Sequence, residues 1–148
     1  MFFQKKKTTI IDFQKNEIIL DNFDYQSDKN IFKSVGKIKV TDHLKNSYEF
    51  SQIYINEKNR EIVGSDAKLY LNQEDFKLNQ KNKPRIFSNT VNINENKSQF
   101  FKSAFTMCNY RDNDKCPPWE LTASEMTHDK KSKTIFYDNA VIKIYNIP

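Results

Sequence analysis

Ser51-Gln52-Ile53-Tyr54-Ile55-Asn56-Glu57-Lys58-Asn59-Arg60-Glu61-Ile62 reads as a strand, a polar turn and the start of a returning strand. The pattern recurs without a gap at Ser124-Glu125-Met126-Thr127-His128-Asp129-Lys130-Lys131-Ser132-Lys133-Thr134-Ile135. Ser51, Lys58, Ile62 and Ala67 meet identical residues at Ser124, Lys131, Ile135 and Ala140, while Leu69 and Leu71 meet Ile142 and Ile144. A looser third copy runs from Phe23 through Asp28-Lys29-Asn30 to Ser34-Val35-Gly36 and Ile38. Repeated hairpins of roughly 20–30 residues predict a stacked β architecture, because one such unit cannot bury its apolar face without neighbours.

Alternation around these hairpins agrees. Every second residue is apolar at Lys37-Ile38-Lys39-Val40, at Ala67-Lys68-Leu69-Tyr70-Leu71, at Val91-Asn92-Ile93 and from Ala140 to Tyr145, the period of a strand with one buried face. The turns between them are polar: Ser27 to Asn30, Asn56 to Asn59 and Asp129 to Ser132. Asn72 to Lys83 reads as a loop or a weak edge strand. The 148 residues hold 15 Ile, 5 Val, 8 Thr and 20 aromatics against 13 Ala, Leu and Met together. Branched and aromatic side chains fit a pleated surface and lose rotamer freedom in a helix, so a helical bundle is excluded. The chain length suits one domain with one modest core.

No apolar run approaches the roughly 20 residues of a membrane-spanning helix. Met1-Phe2-Phe3 before Lys5-Lys6-Lys7 reverses the order of a signal peptide, so no signal peptide is read here. The chain is expected to be cytosolic or an internal piece of a longer exported protein, and the apolar run ending at Ile147-Pro148 reads as a cut. The net charge of +5 rests on 21 Lys and only 3 Arg. Lysine-rich faces are mostly solvated, and phosphate or base-edge recognition favours the planar fork of Arg. A basic, aromatic-rich single-stranded nucleic-acid-binding β domain is the competing class, but no RNP-like Gly-aromatic motif supports it, so no nucleic-acid partner is expected.

Phe105-Thr106-Met107-Cys108, the loop to Cys116-Pro117-Pro118-Trp119, Ser124-Glu125, His128-Asp129 and Asn139-Ala140-Val141 form the most distinctive stretch. Together they resemble the end of the periplasmic domain of the LptD family of lipopolysaccharide-assembly proteins, also called OstA or organic solvent tolerance proteins. Ser34-Val35-Gly36-Lys37-Ile38-Lys39-Val40 resembles the OstA repeat. The resemblance implies an OstA-like domain over 17–148, truncated before an outer-membrane barrel, with 1–16 a segment of uncertain role. It implies an all-β, open β-jellyroll at the periplasmic face of the outer membrane of a Gram-negative bacterium. It implies lipopolysaccharide as ligand, with the acyl chains of lipid A in an apolar groove. The implied partners are the bridge protein LptA and the barrel part with its lipoprotein LptE. A soluble bridge protein of the LptA or LptC kind, built from the same repeat, is the alternative. Such a fold needs an apolar inner face, and Ile38, Val40, Phe50, Ile62, Leu69, Leu71, Ile93, Leu121, Ile135, Ile142 and Ile144 are the candidates for lining it.

The chemistry-bearing residues point to binding rather than turnover. Cys108 and Cys116 are too far apart for a zinc pair, and His43 and His128 lack ligand spacing, so neither metal nor cofactor is expected. Two cysteines flanking a polar loop suit a disulfide in an oxidising compartment, or are plain thiols in a reducing one. The resemblance implies instead that Cys108 bridges to the barrel part. Trp119, after Pro117-Pro118, is read as a structural anchor at the start of a strand. Ser124, Glu125, His128 and Asp129 form no nucleophile elbow, and no catalytic residue is assigned.

Overall fold

The computed structural model describes residues 7–11, 15–72, 84–107, 119–129, 131–132, 134–144 and 147. Their regular structure is all strand: β1 (Thr8–Ile11), β2 (Glu17–Leu20), β3 (Asp24–Gln26), β4 (Ile31–Thr41), β5 (Ser47–Asn56), β6 (Glu61–Tyr70), β7 (Arg85–Ile93), β8 (Lys97–Thr106), β9 (Trp119–Asp129), β10 (Thr134–Asp138) and β11 (Val141–Ile144). All pairings are antiparallel, in the order β1-β2-β4-β5-β6-β7-β8-β9-β10, with β3 on β4 and β11 on β9. The sheet is therefore not closed. The three hairpins of the repeat are β3–β4, β5–β6 and β9–β10, with turns where the sequence places them.

A line of interrupted pairing crosses this sheet. It passes Gly36 in β4, Ser51 in β5, Asp66 in β6, Asn89 in β7, Lys102 in β8 and Ser124 in β9. At one end it meets the break between β2 and β3 at Asn22, at the other the break between β10 and β11 at Asn139. Gly36, Asp66, Lys102 and Asn139 have φ of 123°, 50°, 48° and 50°. Left-handed backbone is costly for L residues other than Gly and, to a lesser degree, Asn and Asp. Its placement in every second strand folds all of them at the same level. Polar side chains stitch the seam: Asn22 Nδ2 donates to the Val35 carbonyl at 2.9 Å, and the Ser34 hydroxyl to the Asn22 carbonyl at 2.5 Å.

The seam divides the sheet into two half-sheets whose inner faces share one core. Leu20, Ile38, Val40, Phe50, Ala67, Leu69, Ile86 and Ala123 come from one half, and Phe32, Ile53, Val91, Phe100 and Met126 from the other. Leu20 and Ile53 are fully buried. Each such side chain contributes about 1.5–3 kcal/mol by leaving water. The alternation that predicted strands now has a direction: Ile38 and Val40 point inward while Lys37 and Lys39 are exposed.

The run from Ala140 departs from this pattern. Val141, Ile142 and Ile144 are all exposed, although alternation predicted a buried face. β11 pairs with β9 and is the last strand of its half-sheet, beyond which only Ile147 meets it among the described residues, in a single antiparallel bridge to Ile144.

Candidate functional site

Register places the sequence-predicted lining residues on the inner face. In one half-sheet Ile18, Val40, Tyr48, Leu69, Ile86, Phe105, Leu121 and Ile142 form one row across the strands. In the facing half, Phe32, Ile55, Ile62, Ile93, Ser98, His128 and Ile135 form another. Ile38, Val40, Phe50 and Leu69 are buried; Ile62, Leu71, Ile93 and Leu121 are partly buried against them. Ile135, Ile142 and Ile144 are 42%, 60% and 58% exposed. The rows thus run from a filled interior to an uncovered apolar end at β10 and β11, where Tyr137, opposite Met126, is also half open. Burial raises the Tyr137 pKa above its ordinary value.

Several inner-face residues escaped the sequence reading. Ile18, Leu20, Ile53, Val91, Phe100 and Met126 are as buried as any candidate. Ile53 and Val91 stand in recognisable strands, whereas Phe100-Phe101 offers two aromatics and no alternation to choose between them.

Two stacked aromatic residues stand on the inner face, and one of them reaches across it. The Phe50 ring reaches the facing half-sheet at Gly64, where an added Cβ would stand 2.5 Å from Phe50 Cδ1. Tyr48 stacks on Phe50, with ring centres 6.3 Å apart and planes within 8°. The Tyr48 hydroxyl donates to Asp42 Oδ2 at 3.0 Å. Burial first, then the Asp42 charge and hydrogen bond, push the Tyr48 pKa far up, so the phenol stays protonated. Asp42 also accepts the Leu44 and Asn46 backbone N–H groups at 2.9 and 2.8 Å and Asn46 Nδ2 at 2.9 Å. That turn fixes the stack from outside.

Trp119 opens β9, as read from the sequence. Its ring meets Phe105 edge-on at 6.1 Å, and its carbonyl accepts the Thr106 hydroxyl at 2.6 Å. It lies opposite Ile144, at the uncovered end. Cys108 and Cys116 lie outside the described residues.

Ser124 and His128 are not brought together. Ser124 lies on the seam and donates to the Asp138 carbonyl at 3.0 Å, while His128 stands in the inner row opposite Ser98 and Ile135. Glu125 accepts Gln99 Nε2 at 2.8 Å and the Thr127 hydroxyl at 2.9 Å, and those bonds lower its pKa. The Asp129 carboxylate caps its turn through the Ser132 and Lys131 N–H groups, which lower its pKa likewise. These are strand and turn contacts. A shallow trough of about 550 Å³ follows the seam, lined by Lys68, Phe87 and Lys102 together with the small residues Ala67, Ser88, Ser103 and Ala123 beside the seam. Among the described residues no group of three or more metal-binding side chains occurs.

No protein-family model matches the chain, and no curated protein matches it by sequence. Among solved structures it is similar to LptH of Pseudomonas aeruginosa, the LptA-homologous periplasmic component of a conserved lipopolysaccharide transport device. The TM-score is 0.64 at 9% identity, over 88% of this chain and 95% of that one. The likeness establishes the fold of this chain as an open, LptA-like β-jellyroll.

Proposed function

We propose that this chain is a carrier module for an amphipathic lipid, of the periplasmic lipopolysaccharide-bridge kind. The acyl chains lie between the half-sheets and the polar headgroup stays in water. The observation that carries the reading is the uncovered apolar end, where Ile142 and Ile144 continue buried inner-face rows into solvent. A core that served only stability would have its last strands covered or polar. LptH, the similar structure, is itself a component of a lipopolysaccharide transport device. Both ends of the sheet, β1 on one side and β10 with β11 on the other, offer strand edges to a related jellyroll such as an LptA-like partner.

A photo-crosslinking residue at Ile142 should label lipid A, and one at Val141, its exposed neighbour on the opposite face, should not. Equal labelling at the two positions would defeat the reading.

The Cys108 to Trp119 segment and the Ser124 to Val141 hairpin favour a second reading, in which the chain is the periplasmic domain of an LptD-type protein. Its partners would then be its own barrel, reached by a disulfide from Cys108, and LptE. The reading frame around the chain tests this: a downstream barrel supports it, and a stop codon soon after Pro148 leaves the soluble bridge.

A further inference from the structure

We infer that Phe50 is the stop that sets how long an acyl chain the groove accepts. The inference rests on the carrier reading above and adds a boundary inside the groove. The inner row nearest the seam changes character at this residue. On the β1 side it carries Leu20 and Ile38, both buried and large. Beyond Phe50 it carries only Ala67, Ser88, Ser103 and Ala123 on four successive strands, ending at the uncovered β11 side. All four are buried, so a chain entering from that end must part the half-sheets here, and small side chains are the least obstacle to it.

Phe50 is placed to close that space. Its ring crosses from one half-sheet to the backbone of the other at Gly64, a position with no Cβ to keep it away. The ring is held from behind by the Tyr48 stack, and Tyr48 is tied by its hydroxyl to Asp42. A chain running inward from β11 crosses β9, β8, β7 and β6 before it meets the ring on β5. At one strand spacing per step this is about 24 Å.

The test is the binding of monomeric lysophosphatidylcholines of increasing chain length, followed by calorimetry. For the wild-type protein, each added methylene should tighten binding by about fourfold until the chain reaches the ring, and further methylenes should add nothing. Phe50→Leu, which keeps an apolar side chain of similar volume without the ring, should move the plateau to longer chains. Phe50→Trp should move it to shorter ones. Because the two variants shift the plateau in opposite directions, general loosening of the fold would not mimic the result. An unchanged plateau in both variants, or affinity that rises without limit in the wild type, overturns the stop while leaving a lipid carrier. Absence of binding at every length overturns the carrier reading and the stop with it.

Discussion

The Ser51 hydroxyl donates to the Asp66 carboxylate at 2.6 Å along the seam, from β5 to β6. The equivalent positions of the second hairpin, Ser124 and Asn139, are joined at 3.1 Å by an amide donating to the hydroxyl. Asp66 and Asn139 share a φ of 50°. Asp66→Ala therefore removes a hydrogen bond and places a less tolerant residue in left-handed backbone, and should cost about 1–2 kcal/mol. Asp66→Asn should cost less than half of that. Urea denaturation of both variants checks the pair; equal stability of Asp66→Ala and wild type would show the stitch to be idle.

Gly64→Ala should destabilise the protein by about 1–3 kcal/mol, because the new methyl meets a buried ring rather than a mobile chain end. Combining it with Phe50→Leu should recover part of the loss. A double-mutant cycle on thermal unfolding reads the coupling, and strict additivity would mean that the two residues do not touch in solution.

Asp42→Ala leaves the Leu44 and Asn46 N–H groups and the Tyr48 hydroxyl without their shared acceptor. A loss of about 2–3 kcal/mol is expected. Since the Asp42 charge is one cause of the raised Tyr48 pKa, that phenol should ionise at lower pH in the variant. Ultraviolet titration of tyrosinate in wild type and variant detects the change; unaltered titration would dissociate the residues.

The Asp129 carboxylate has its folded pKa depressed by the Ser132 and Lys131 N–H bonds. Its contribution is present above the unfolded value of about 3.9 and is lost as pH falls through the folded value. Asp129→Asn should thus be less stable than wild type at neutral pH and equal to it in strong acid. Hydrogen exchange at Lys131 and Ser132 compares the two proteins; a difference that persists in acid would assign the effect to shape rather than charge.

The hairpins were legible because alternation and polar turns are local signals. Ile38 and Val40, or Ala67 and Leu69, declare a strand and its buried face within four residues. The repeat carried more than it first showed: its identities at Ser51 and Ser124, and at Ala67 and Ala140, flank the seam rather than the turns. The seam itself was not legible. Only one of its left-handed residues is a glycine, and Asp66, Lys102 and Asn139 look like ordinary polar strand positions. Nor was the exposure of Ile142 and Ile144 legible, since period-two patterning reports a face and cannot report whether anything covers it. Phe50 and Gly64 are 14 positions apart in sequence and are matched only across the fold.

The seam also makes the sheet mechanically anisotropic. Within either half, neighbouring strands are locked by their ladders, and bending there would break hydrogen bonds. Along the seam the ladders are interrupted in each of the pairs from β4 to β9, so bending there would strain side-chain stitches rather than ladder hydrogen bonds. The line is like the spine of a book: each leaf is braced by its own ladders, and the two are joined at the spine by backbone and side chains instead. Parting the two halves would uncover the core they share, so what holds the fold shut along this line is burial and the polar stitches rather than the ladders.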